Sequence, residues 1–179
     1  MRLQLTEFAE LNDAQRRVWD ENMSSRRGTV TAPVRAWLKS PELALRATRL
    51  GSYLKFDSSV PLVAAEIVIL YIARRWNAQY QWYAHESLAR EAGVDPKVIQ
   101  ALEANAEPEG LDDKSRVAYE VAKSLSETHT VGDELFASAV ERLGESGLID
   151  LVGLCGYYTM VAMTLKTFDL QVPTGDDSC

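Results

Sequence analysis

Glu66 lies in the middle of the run Pro61-Leu-Val-Ala-Ala-Glu-Ile-Val-Ile-Leu-Tyr-Ile-Ala73. Apolar residues flank it on every helical face. A carboxylate in such a place must be paired, solvated or protonated, because burying it alone is costly. The next segment, Ala78-Gln-Tyr-Gln-Trp-Tyr-Ala-His85, is dense in aromatic and polar groups. Gln81 and His85 are i,i+4 neighbours on one helical face, and Ala78 lies one turn further back on it. If the two segments pack as an antiparallel helix hairpin, Glu66 and His85 can meet across it. A Glu–His pair in an aromatic pocket can work as a proton-transfer unit. The competing reading is structural: Glu66 forms a core ion pair with Arg49 or His85, and the aromatic stripe is core.

Other chemistries have little to work with. The chain holds 2 His, His85 and His129, and 2 Cys, Cys155 and Cys179. A disulfide framework and a Cys-based zinc site are excluded on that count. There is no Gly-rich phosphate loop, no His-x-x-x-His or Cys-x-x-Cys pair, and no Gly-x-Ser-x-Gly elbow, which argues against NTP, zinc and serine hydrolysis. His129 follows Thr128 at a helix end and reads as a surface or cap residue. Lys plus Arg number 19 and Asp plus Glu 26, for a net charge of -7. That balance argues against a nucleic-acid partner, which needs clustered cations.

The elements that must position Glu66 and His85 read as nearly all helix, in one domain of 179 residues. An N-terminal arm, 1–40, carries a helix from Glu7 to about Ser24, a turn at Ser24-Ser25-Arg26-Arg27-Gly28, an extended stretch to Pro33 and a short helix over Val34–Lys39. The core, 41–172, starts with Ser40 as N-cap and Pro41 at the first helical position. Helices follow over Pro41 to Leu54, Pro61 to Arg75, Ala78 to Ala92 with Gly93 as its stop, and Pro96 to Ala104. Three more run from Asp112-Asp113 to Thr128, from Gly132-Asp133 to Leu143, and from Gly147 to Phe168. The tail, 173–179, is polar and expected to be disordered. Leu148 to Leu165 approaches membrane-spanning length, but its glycines, adjacent tyrosines and non-basic flanks favour a buried helix of a soluble protein. With no targeting segment in view, the expected compartment is cytoplasmic and no membrane partner is expected.

These residues resemble a known pattern. The sequence is similar to the carboxymuconolactone decarboxylase family, whose all-α fold is shared with alkylhydroperoxidase D (AhpD), a helical bundle around a central core helix pair. The redox branch of that family carries Glu-x11-Cys-x2-Cys-x3-His. Glu66, Ala78, Gln81 and His85 occupy those places at matching spacing, so the Glu and His are present and both cysteines are missing. The pattern continues with His85, Ala89 and Gly93, then a Pro-started helix at Asp95-Pro96-Lys97-Val98-Ile99. The segment Trp37 to Leu43 resembles an N-terminal element of longer members, and Leu148 to Tyr158 resembles their final helix.

The resemblance implies a function by subtraction. Thiol-based peroxide reduction needs a nucleophilic thiolate and a resolving thiol, which Ala78 and Gln81 do not supply. The decarboxylase side implies a cofactor-independent lyase that takes carboxylate from a small lactone or aromatic-catabolism metabolite. It would hold the substrate, disfavour the solvated carboxylate and deliver a proton to carbon. His85 would be the general acid/base and Glu66 would orient it. Tyr80, Gln81 and Trp82 would line the pocket or bind lactone oxygens, though only some can face it, since successive helical positions diverge by about 100°. An anionic substrate calls for a cation among Arg35, Arg49, Arg74 and Arg75. Arg35 leads, because with Trp37 it belongs to an arm that could fold over the site. The family also implies a homo-oligomer, a trimer or hexamer, with the final helix suited to the interface.

Alternatives are a non-catalytic oligomer of the same fold that binds a small ligand or partner, or a hydratase, hydrolase or isomerase on a neutral substrate. The enzyme reading needs Glu66 and His85 in contact at the end of an open pocket. The binding reading expects Glu66 held by Arg49 and His85 sealed in core.

Overall fold

The computed structural model describes residues 2–172; the expected disordered tail, 173–179, lies outside them. Among the described residues there is no strand. The helices are α1 (Asp13–Ser24), α2 (Ala32–Trp37), α3 (Pro41–Phe56), α4 (Leu62–Arg75), α5 (Gln79–Ala92), α6 (Pro96–Glu103), α7 (Asp113–Glu127) and α8 (Asp133–Phe168).

α4 is the hub. Residues Ala64 to Ala73 are all buried, and α5, α6, α7 and α8 all pack on it. An apolar run with no polar face is stable only when neighbours cover it on every side. Three residues join α4 to α5, with Asn77 in the left-handed region at φ 47°, so the two form the tight hairpin expected. α5 stops at Gly93, φ 94°, as the glycine there predicts.

The arm departs from the expected helix at its start. Phe8–Glu10 is a separate 3-10 turn, and α1 begins only at Asp13. The reason is a reciprocal cap: Asn12 Oδ1 accepts from Gln15 N at 3.0 Å, and Gln15 Oε1 accepts from Asn12 N at 3.0 Å. Ser40 does sit at the N-cap of α3, but its side chain makes no capping bond. α1 and α2 pack on α3, and α2 also packs on α8. Gln15 Nε2 donates to Leu38 O at 3.0 Å and ties α1 to the end of α2.

The last two expected helices form one element, α8, interrupted at Gly144 rather than at Gly147. Gly144 has φ 73° and ψ 167°, a conformation that costs an L side chain and suits glycine. By length and composition α8 could cross a membrane, yet 61% of its most apolar window is buried inside the bundle. That burial fits a core helix.

Candidate functional site

The hairpin brings Glu66 and His85 together. Glu66 is 2% exposed, and its Oε2 lies 2.8 Å from His85 Nδ1. A neutral imidazole facing a carboxylate in this way donates from Nδ1, which leaves Nε2 as the nitrogen that can exchange a proton. Arg49 does not reach Glu66. Its Nε and Nη2 are held by Glu21 at 2.6 and 2.8 Å, and that bidentate pair holds the Glu21 carboxyl below its ordinary range.

His85 opens onto a cavity of about 50 Å³. Three parts of the chain wall it: Arg27, Thr31, Pro33, Val34 and Trp37 from the arm, Tyr80, Gln81, Ala84 and His85 from α5, and Tyr157, Tyr158 and Val161 from α8. A relay of edge-on rings frames one side. Trp37 meets Tyr157 at 6.2 Å between centroids, Tyr157 meets Tyr158 at 5.2 Å, and Tyr158 meets His85 at 5.0 Å and 89°. Such geometry sets the positive edge of one ring against the negative face of the next. Burial pushes the Tyr158 phenol well above its ordinary range; the Arg27 charge opposes this and that of Glu66 adds to it. Tyr158 is therefore a neutral wall at any physiological pH.

Of the expected site residues, Tyr80, Gln81 and Trp37 line this cavity together with His85. The Tyr80 hydroxyl accepts from Ala32 N at 3.3 Å and so fastens α5 to the arm. Trp37 Nε1 is spent on Thr164 Oγ1 at 2.9 Å, so Trp37 offers the cavity only its ring. Gln81 Nε2 donates to Ile69 O at 3.3 Å, while its Oε1 is buried with no partner.

Trp82 and Arg35, also expected at the site, do not line this cavity. Trp82 lines a different groove, of about 310 Å³, with Ala73, Arg74, Ala78 and Glu103, because one helical step turns it about 100° from Gln81. Arg35 is outside the cavity lining and pairs with Glu7 at 3.4 Å. The other candidate cations are engaged elsewhere. Arg74 Nε donates to Glu103 O at 2.8 Å, and Arg75 lies 4.0 Å from Glu127.

The cation in the cavity wall is Arg27, which sequence reasoning passed over. Its neighbour Arg26 turns outward to Asp57 at 2.9 Å and over the Phe56 ring. Arg27 turns inward, and its Nη2 is buried with no partner. The signal was two adjacent cations in a turn closed by Gly28 N to Ser25 O at 3.0 Å, where consecutive side chains must diverge. Half-buried Lys55 adds a second nearby charge. Burial lowers its pKa, Arg27 lowers it further, and Glu66 pulls it back up.

Ala78 and Gln81 carry no thiol and neither is a nucleophile. Cys155 is buried in α8 and its thiol is pushed up to about 12 by burial, so it is not a thiolate near neutrality. His129 sits past the end of α7 at φ 62°, exposed, with Nδ1 3.2 Å from Leu125 O. Among the described residues no three His, Cys, Asp or Glu side chains converge as a metal site.

No family model matches the sequence, and no curated protein matches it significantly. Solved structures do match. One is an uncharacterized peroxidase-related protein from Silicibacter sp. TM1040, 16% identical, with a TM-score of 0.77 over 98% of this chain and 92% of that one. Another is a protein of unknown function from Agrobacterium tumefaciens, proposed as the antioxidant defence protein AhpD, 14% identical, with a TM-score of 0.66 over 77% of this chain and 95% of that one. At such identities the likeness speaks for architecture: the chain has the AhpD-like all-α fold.

Proposed function

We propose that the protein is a cofactor-independent acid/base enzyme of the carboxymuconolactone decarboxylase type, acting on a small lactone or aromatic-catabolism metabolite. The observation that carries this reading is the 2.8 Å contact between Glu66 Oε2 and His85 Nδ1 at the wall of an aromatic cavity. In the reaction, the bond between the substrate carbon and its carboxylate breaks and carbon dioxide leaves. The electron pair delocalises into the conjugated carbonyl. The Nε2–H of the imidazolium then delivers a proton to carbon, and solvent restores it. Glu66 holds the ring by Nδ1 and balances the imidazolium charge. The ring-lined walls keep water from the leaving carboxylate.

A thiol peroxidase role is not part of this reading, given Ala78, Gln81 and the unreactive Cys155. The cavity also sets a condition. At about 50 Å³ it is well below the roughly 150 Å³ that accepts benzene. A ring-sized substrate enters only if the 27–37 stretch of the arm moves, or it inserts just its reacting end. The small volume is also what favours the rival reading, ligand binding without turnover.

We extend the proposal to a cytoplasmic homo-oligomer. Ile149, Val152 and Met163 are 71%, 49% and 46% exposed on α8 and fall on one face at spacings of 3 and 11, the kind of apolar stripe a second copy covers.

Turnover tests the proposal. A panel of lactones and aromatic-catabolism acids is followed by loss of ultraviolet absorbance, with wild type against His85→Ala. Wild type is expected to consume at least one member, with the variant at background. Equal rates in both would remove His85 from the mechanism.

A further inference from the structure

Next to the Glu66–His85 pair, the structure keeps one buried donor and one buried acceptor without partners. The donor is Arg27 Nη2 and the acceptor is Gln81 Oε1. Both residues line the cavity that His85 opens onto. Leaving either group unpaired in the interior costs free energy. Thr6 Oγ1 and Arg35 Nε are buried without partners too, but only Arg27 and Gln81 line one cavity, where a single molecule can meet both. Gln81 cannot resolve this by rotating its amide. Ile69 O takes a donor from Nε2 at 3.3 Å, and a flip would set two oxygens against each other.

Arg27 differs from the other cations near the hairpin. Arg49 and Arg75 face carboxylates, and Arg74 donates to a backbone carbonyl. Arg35 faces Glu7 through Nη2 while its Nε is buried without a partner, outside this cavity. Arg27 forms no ion pair among the described residues, although its charge is felt by Tyr157, Tyr158 and Lys55. A guanidinium with an unpartnered N–H, in the wall of the same cavity as an imidazole, is a carboxylate receptor by chemistry. The cavity, about 50 Å³, is small enough that any group inside it touches several walls at once.

We infer that Arg27 anchors a carboxylate in this cavity, so that the site takes a small carboxylic acid, or the carboxylate end of a larger one, with Gln81 Oε1 accepting from a hydroxyl or other donor on the same molecule. The inference deepens the acid/base reading and rests on it for the identity of the site, but the binding itself needs no turnover. Arg27 is a specificity residue in this account. It holds the anion where Nε2 of His85 can reach the adjoining carbon, and it selects acids over neutral analogues of the same shape.

The test uses the two histidines of the full chain as reporters, one in the site and one outside it. Sodium acetate and sodium formate are titrated at constant ionic strength while the His85 and His129 ring protons are followed by NMR, with acetamide as the neutral isostere. Expected is a saturable shift of His85 with the acids, none of His129, and none of His85 with acetamide. Arg27→Gln weakens the binding about tenfold or more, the loss expected of one charge-assisted bond, and Arg27→Lys retains part of it. Circular dichroism checks the variants. If Arg27→Gln does not fold, the acetate-against-acetamide comparison in wild type still decides. No saturable shift of His85, equal response to acetamide, or an unaltered titration in a folded Arg27→Gln overturns the inference. These outcomes are separable from the fate of the acid/base reading. Anion binding with no His85-dependent turnover of any acid sinks catalysis and leaves the anchor, whereas turnover without anion binding does the reverse.

Discussion

α4 has polar clusters on two of its sides, and they differ in kind. On the side facing α7, Tyr71 and Tyr119 stack edge-on at 5.2 Å. Around them Tyr71 donates to Glu127 at 3.5 Å, Arg75 approaches Glu127 at 4.0 Å, and Lys123 donates to Glu107 at 2.5 Å. Burial pushes both phenols up to about 12. The space there is about 160 Å³, three times that of the His85 cavity, and it holds more charge. Yet no buried side-chain nitrogen or oxygen on that side lacks a partner among the described residues. On the side facing α5 and α8 the space is smaller, but a buried Glu–His pair sits beside an unpartnered donor and an unpartnered acceptor. Neither polar density nor volume marks a site. Unmet bonding capacity next to a proton carrier does.

Removing His85 separates the two sides of α4 most strongly. In His85→Ala the Glu66 carboxylate is left buried without its partner, which costs about 3 kcal/mol. Replacing both residues by Leu restores most of that stability, because an apolar pair needs no bonding. Urea unfolding of the two variants checks the order; a single variant as stable as the double one would show that the pair is not desolvated as the structure has it.

Gly51 offers a sharper probe of the same side. A Cβ added there would stand 2.2 Å from the Tyr157 hydroxyl oxygen, and the aromatic ring cannot bend away. Gly51→Ala should cost about 2 kcal/mol through overpacking and should disturb the ring relay that ends at His85. Loss of thermal stability together with a shifted His85 resonance is the expected pair of readouts, and an unshifted resonance would uncouple Tyr157 from the site.

The α7 side yields the smallest effect. Asp112 caps α7, accepting from Lys114 N at 2.9 Å, Ser115 N at 3.0 Å and Ser115 Oγ at 2.7 Å. The Ser115 hydroxyl first, and then its backbone N–H, hold the Asp112 carboxyl below its ordinary range. A depressed folded-state pKa stabilises above the unfolded value and is lost as pH falls through the folded one. Asp112→Ala should therefore cost about 1 kcal/mol near neutrality, and the gap to wild type should close in acid while His85-dependent chemistry stays untouched at neutral pH. A gap that widens in acid would contradict the capping role.

Much of this was legible in the residues. The unbroken apolar run around Glu66 required a central helix, and i,i+4 spacing put Gln81 and His85 on one face. The hairpin stood as a condition for the Glu66–His85 contact, and the structure meets it through the short Trp76–Ala78 link. What was not legible has physical reasons. Trp82 is one step from Gln81, and pattern alone does not say which of two neighbours faces a cavity. Arg35 was diverted by Glu7, a partner 28 positions away. Arg27 lies in a turn, where no periodicity assigns a direction, and Tyr158 is a buried residue of α8 with one ring edge meeting His85, which the helical pattern does not set apart from its neighbours. The break in α8 fell at Gly144 rather than Gly147, a choice that only the backbone angle distinguishes.

The central claim is that Glu66 fixes His85 by Nδ1 and leaves Nε2 for the proton. With only His85 and His129 in the chain, nitrogen-15 NMR of histidine-labelled protein reads it directly. The account predicts that neutral His85 is held as the Nδ1–H tautomer in wild type and loses that preference in Glu66→Ala, while His129 is unaffected by the substitution. A neutral His85 found as the Nε2–H tautomer in wild type would contradict it.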